Sequence, residues 1–215
     1  MLKLQNVTVV YPDQTKAIDG LSFTLSAGDN IALIGENGAG KTSLLLAIAG
    51  VLKPAEGLIE VPNQVGLVFQ NPDDQLFMPL VYDDVAFGCR NLGFPEEQVK
   101  AMVEETLNQL NISHLKNRSS LKLSCGEKRM AAIATVLSMK PSILMFDEPT
   151  AYLDPRAKRA LAETLKNLQH EKIIATHDMA FAAEVCNRVI VLKEGRIAME
   201  GGKDLLYDGK VNLLF

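Results

Sequence analysis

The sequence predicts an α/β fold in which a mostly parallel sheet is covered by helices on both faces. Three apolar runs, Asn30 to Ile34, Ile143 to Phe146 and Lys172 to Thr176, read as strands buried on both sides. Helical stretches follow them, at about Lys41 to Ala49, Pro155 to Leu168 and Asp178 to Cys186. A glycine-rich turn joins the first strand directly to the first helix.

The remaining elements follow in chain order. Leu2 to Val10 and Leu21 to Leu25 alternate apolar and polar residues, as half-buried strands do. The first helix stops at Gly50, a C-terminal cap. Strands at Gly57 to Glu60 and Val65 to Phe69 lead into a Pro- and Asp-rich segment, Asn71 to Asp84. Pro95-Glu-Glu then opens an amphipathic helix with Val99, Met102, Val103, Leu107 and Leu110 on one face. A hairpin, Arg188 to Leu192 and Ile197 to Met199, turns at Glu194-Gly195. No internal repeat or low-complexity linker interrupts the pattern.

Length and composition narrow the functional classes. A chain of 215 residues suits one domain with a subdomain. Lys and Arg number 22 against 26 for Asp and Glu, with no dense basic run, so the electrostatic footprint for nucleic acid is missing. Arg156 to Arg159 reads as a solvated helix face. Cys89, Cys125 and Cys186 are far apart and odd in number, which argues for a reducing compartment and against a disulfide framework or zinc site. The N-terminus alternates like a strand and lacks the apolar core of a signal peptide, and no apolar run reaches membrane-spanning length. Any membrane role is therefore expected to be peripheral.

The chemistry begins at Gly35-Glu36-Asn37-Gly38-Ala39-Gly40-Lys41-Thr42-Ser43, which fits GxxxxGK[ST] between a strand and a helix. Glycines let backbone N–H groups curl around phosphate oxygens at the positive end of the helix. Lys41 is placed to neutralise the β- and γ-phosphates of ATP, and the Thr42 hydroxyl to ligate Mg²⁺. The rival dinucleotide motif GxGxxG does not occur. The strand Ile143 to Phe146 ends in Asp147 and Glu148. Ligands of open parallel sheets bind beyond the carboxyl ends of strands. Asp147 suits Mg²⁺, and Glu148 suits the activation of a water. His177, just after a third strand, is a γ-phosphate contact candidate.

Leu123-Ser124-Cys125-Gly126-Glu127 resembles the LSGGQ signature of the ABC ATPases, and the resemblance covers nearly the whole chain. The NKxD motif of small GTPases is absent. Tyr11 resembles the aromatic that stacks on adenine. Gln70 resembles the loop glutamine that contacts Mg²⁺ and links the site to a membrane partner. Ala151 to Asp154 resembles the loop that communicates across a dimer, and His177 the switch histidine. The family fold implies a P-loop NTPase core of RecA type in a single domain over 1–215. An antiparallel β subdomain and a helical signature subdomain at about 72–138 belong to it. The resemblance also implies that Ser124 and the Gly126 N–H bind ATP held by a second subunit, in a homodimer or a heterodimer. Glu127 and Cys125 depart from the signature. If position 125 required a positive φ, Cys125 would be strained.

The run Phe69-Gln-Asn-Pro-Asp-Asp-Gln-Leu-Phe77, with Tyr82 to Gly88 and Glu127 to Ala134, is similar to the ATPases of energy-coupling factor importers. That likeness implies an integral membrane coupling subunit, a place at the cytoplasmic face of the membrane, and uptake of cobalt, nickel or a vitamin, with cobalt or nickel preferred. Asp73, Asp74, Asp83 and Asp84 are then expected to face an arginine of the membrane subunit. Relatives carry a further C-terminal segment that aids dimerisation. This chain stops at Phe215, so its dimer is expected to depend more on ATP. Two other readings stay open: a non-transport ABC protein acting on ribosomes or DNA, and a regulatory module whose Cys125 has ended turnover.

Overall fold

Alternation in the first residues becomes strand β1 (Leu2–Val10), which buries Leu2, Leu4, Val7 and Val9. It pairs antiparallel with β2 (Lys16–Leu25) on one side and β4 (Glu56–Glu60) on the other. The second strand starts at Lys16, five residues before the alternation becomes visible at Leu21, because Val10 opposite Lys16 extends the ladder to the turn. Between them in sequence lies β3 (Asn30–Ile34), whose last four residues are all buried.

A second sheet has six strands in the order β5-β6-β7-β3-β8-β9, with β5 (Val65–Val68), β6 (Ile143–Asp147), β7 (Glu171–Ala175), β8 (Arg188–Lys193) and β9 (Arg196–Gly202). The pairings of β7 with β6 and β3, and of β3 with β8, are parallel, and the β8–β9 hairpin is antiparallel. This is the mostly parallel core that the apolar runs predict. Helix α1 (Lys41–Ile48) buries Leu44, Leu45, Ala47 and Ile48 against the core, and ends at Gly50 with φ +76°.

The computed structural model describes residues 1–207, which form two compact units. The expectation attached to Phe215 lies outside the described residues. The first unit comprises Met1–Leu67, Ser142–Pro149 and the chain from Leu168 onward. It holds both sheets except for the last residue of β5, together with α1 and α6 (Met179–Val185). The second comprises Val68–Pro141 and Thr150–Asn167. It holds α2 (Val81–Asn91), α3 (Glu96–Gln109), α4 (Cys125–Leu137) and α5 (Pro155–Asn167).

Helix α2 was not legible as a helix. Asp83 and Asp84 made it read as an acidic partner-facing stretch, and the structure corrects this for Asp84. The two aspartates occupy the first turn, where carboxylates suit the positive helix end, and Val81, Val85, Ala86 and Cys89 form the buried face. Asp84 is itself buried, and its Oδ1 accepts the N–H groups of Phe77 and Met78 at 2.9 Å each. It is not available to a membrane subunit. Asp73 pairs with Lys128 at 2.6 Å, Asp74 accepts from Asn71 at 3.2 Å, and Asp83 stands 3.8 Å from Arg90.

Burial raises the Asp84 carboxyl above its ordinary value, and the Met78 and Phe77 N–H groups oppose the shift. A folded-state pKa above the unfolded one means that this group's contribution to stability declines as pH rises through the raised value. Asp84→Asn keeps an accepting oxygen and removes the buried charge, so it should hold stability and flatten the pH dependence. Asp84→Ala strands two N–H donors and should cost about 2 kcal/mol. Urea unfolding of both variants across pH 4 to 8 is the measurement.

Candidate functional site

Backbone register brings the site together. Leu33 and Asp147 both stand opposite Ala175 on the shared neighbour β7, so three parallel strands end along one edge. The loop from Gly35 leaves β3 there, Asp147 closes β6, and His177 lies two residues beyond β7.

The loop's curl depends on glycine at two places, Gly38 with φ +85° and Gly40 with φ +103°. A Cβ on Gly40 would also strike the Ala17 carbonyl oxygen, so the loop is pressed against β2. From the hairpin turn, the Gly195 N–H donates to the Ala39 carbonyl at 3.1 Å, and the Asp19 N–H donates to the Gly195 carbonyl at 3.0 Å. Lys41, the first residue of α1, is 7% exposed and folds back over the loop. Its ammonium donates to the carbonyls of Gly35 at 2.6 Å and Glu36 at 3.1 Å. No acidic residue stands in the first turn of α1, so the positive helix end keeps its field. Over Gly35, Glu36, Asn37 and His177 lies a cavity of about 540 Å³. The Tyr11 hydroxyl shares a hydrogen bond of 3.0 Å with the Ser43 hydroxyl, which fixes the ring beside α1.

Asp147 and Glu148 are both buried at 6% exposure. The Thr42 hydroxyl donates to Asp147 Oδ2 at 2.7 Å, pairing two hard oxygens of the kind that ligate Mg²⁺. Glu148 adopts φ +42°, an unfavourable backbone for glutamate, held by its N–H bond to the Ala175 carbonyl at 2.8 Å. Its Oε2 meets His177 Nδ1 at 2.9 Å and accepts the His177 N–H at 3.3 Å. Its Oε1 accepts no hydrogen bond among the described residues and lies 3.9 Å from the Lys41 ammonium. A carboxylate held this way, beside a largely exposed imidazole, can take a proton from a water.

The other predicted residues belong to the second unit. Ser124 is the N-cap of α4: its hydroxyl accepts the Glu127 N–H at 3.3 Å, and Glu127 Oε2 accepts the Ser124 N–H at 2.8 Å. The Ser124 N–H and hydroxyl hold the Glu127 carboxyl below its ordinary range. Glutamate thus serves the cap in glutamine's place. Cys125 is an exposed first-turn residue without a positive φ, so the expected strain is absent. Gly126 packs against α5, where a Cβ would lie 3.3 Å from that of Ala157, and its first-turn N–H has no intrahelical partner. Asp154 Oδ1 accepts the N–H groups of Arg156 at 2.8 Å and Ala157 at 2.9 Å. Gln70 is exposed, and its backbone carbonyl accepts from Arg129 at 2.6 Å. Sequence reasoning missed Arg129 as a functional candidate. Its signal was a cation, next to Lys128, directly abutting the apolar run Met130 to Ala134.

A family model described as ABC transporter matches residues 18–151. GSU1281 of Geobacter sulfurreducens, provisionally named an ABC transporter ATP-binding protein, is 47% identical over 214 residues, covering 94% of this chain and 86% of the relative. The energy-coupling factor transporter ATP-binding protein EcfA of Methanothermobacter thermautotrophicus is 42% identical over 219 residues, covering 94% and 70%. The solved structure of cbiO1 from Clostridium perfringens, described as part of the ABC transporter complex cbiONQ, superposes with a TM-score of 0.85 at 37% identity, over 99% of this chain and 92% of that one.

Two outcomes follow. Lys41→Ala removes the ammonium from the loop and should weaken ATP binding about a hundredfold or more, read by isothermal titration; unchanged affinity would contradict the cradle. Cys125→Gly relieves no strain, so turnover should stay within about twofold of wild type, less a small helix-propensity cost. A large loss would assign the thiol a role.

Proposed function

The chain belongs to the ABC transporter family as an ATP-hydrolysing subunit, and on that footing we propose that it powers an energy-coupling factor importer for cobalt or nickel ions. In this reading two such subunits work as a dimer against an integral membrane protein. Glu148 is the observation that carries the hydrolytic step. It is a buried carboxylate in a strained backbone conformation, with one oxygen engaged by His177 and the other accepting no hydrogen bond among the described residues.

The loop Gly35 to Gly40 and the first turn of α1 bind the phosphates, Lys41 neutralises them, and Tyr11 stacks on adenine. Thr42, Asp147 and Gln70 would hold Mg²⁺, and the paired oxygens of Thr42 and Asp147 fit it. When bound, that ion polarises the phosphoryl oxygens. Glu148 takes the proton of the attacking water, and His177 holds Glu148 in place while meeting the γ-phosphate. Ser124 and the Gly126 N–H of one subunit complete the site of the other, with Asp154 reporting across the dimer. Among the described residues no helix is long and apolar enough to cross a membrane. In this reading the membrane partner provides the path and selects the ion.

Glu148→Gln should bind Mg-ATP with near-normal affinity and lose about a thousandfold in turnover, since an amide cannot accept the proton. The trapped nucleotide should hold two subunits together. Sedimentation showing a monomer at saturating Mg-ATP would refute the shared site. Reconstitution with the membrane proteins that co-purify, followed by uptake of radiolabelled cobalt or nickel, tests the substrate. Uptake of neither ion would overturn that choice.

A further inference from the structure

The run Phe69 to Phe77, which carries the likeness to energy-coupling factor ATPases, is tied by side-chain contacts within its own unit. Arg129 is 1% exposed on α4, and its guanidinium spans two successive carbonyls of that run. Nη1 donates to Phe69 at 2.7 Å, and Nη2 to Gln70 at 2.6 Å. The guanidinium gives each carbonyl its own nitrogen from one rigid plane, whereas a lysine ammonium would have to serve both from a single atom. Gln75 holds Phe69 by the preceding peptide. Its Oε1 accepts the Phe69 N–H at 3.1 Å, while its amide donates to the Ala132 carbonyl at 2.8 Å and the Thr135 hydroxyl at 2.7 Å. The Lys128–Asp73 pair adds a third link. All three links end on α4, the helix whose first turn carries Ser124 and Gly126.

We infer that Arg129 is a positioning residue for hydrolysis, fixing the Gln70 backbone to the signature helix so that the two take up one geometry together. The inference rests on the roles given above to Gln70 and Ser124. Arg129 touches neither nucleotide nor water in this account. Its effect passes through the peptide that aims the Gln70 side chain.

A double-mutant cycle on the full chain tests it. Arg129→Met keeps an apolar stem of similar length and deletes both donors. It should lower kcat for ATP about tenfold and leave KM within about twofold, because the phosphate loop is untouched. Arg129→Lys, with one donor cluster in place of a fork, should recover part of the loss. In a Gln70→Ala background, Arg129→Met should change kcat by less than about twofold, since the group it aims is gone. The same tenfold loss in both backgrounds would mean that Arg129 only holds the fold, and would overturn the proposal, as would wild-type kcat in Arg129→Met. Should Arg129→Met melt below the assay temperature, Arg129→Lys carries the cycle. A fall in kcat from Gln70→Ala alone keeps the functional reading independent of this outcome. Wild-type kcat in Gln70→Ala would sink that reading of Gln70 first, and the inference with it.

Discussion

Parallel hydrogen bonding between β3, β7 and β6 is the constraint on which the rest depends. Each strand is buried on both faces, so none can carry reactive groups within its length without stranding them. The chemistry is displaced to the points where the chain leaves the sheet. Register decides that those points coincide: Leu33 and Asp147 share Ala175 as their opposite residue. A slip of one residue in either ladder would shift Asp147 about 3.3 Å along the strand and turn it to the other face.

The cluster assembled there is unbalanced in charge. One buried ammonium, Lys41, lies 3.9 Å from Glu148, whose chain neighbour Asp147 is a second buried carboxylate. Carbonyls solvate Lys41 without neutralising it, and Thr42 and His177 do the same service for the acids. Removing charges from water costs several kcal/mol per ion unless partners compensate. In the function proposed above, an added cation would offset the two acids and the loop would take the phosphate oxygens.

The fold was legible where one local period persists. β3 matches the apolar run Asn30 to Ile34 residue for residue, and α3 follows its amphipathic face. The loop from Gly35 and the acids Asp147 and Glu148 were legible as neighbours because each follows an apolar strand of one parallel sheet. What escaped was set by surroundings that no local window contains. Asp84 looks like surface in sequence and is buried because Phe77 and Met78 turn their N–H groups toward it. Cys125 seemed strained only under an assumed backbone, and as the first residue of a capped helix it is not. Arg129 was invisible because its partners are carbonyls some sixty residues earlier, and a carbonyl has no letter in the sequence.

The contacts of Ala17 and Gly195 with the phosphate loop bear on how this sequence can drift. Ala17 offers only a backbone oxygen to Gly40, and Gly195 only an N–H to Ala39. Their side chains contribute nothing to that grip. Gly195 nonetheless sits at φ +75°, where a Cβ would come within 2.7 Å of the Ala17 carbonyl oxygen. A survey of tolerated substitutions should find position 195 nearly as intolerant as the loop itself, and position 17 permissive of any residue that keeps the strand. Intolerance at a residue that reacts with nothing would then trace the mould in which the reactive loop is cast.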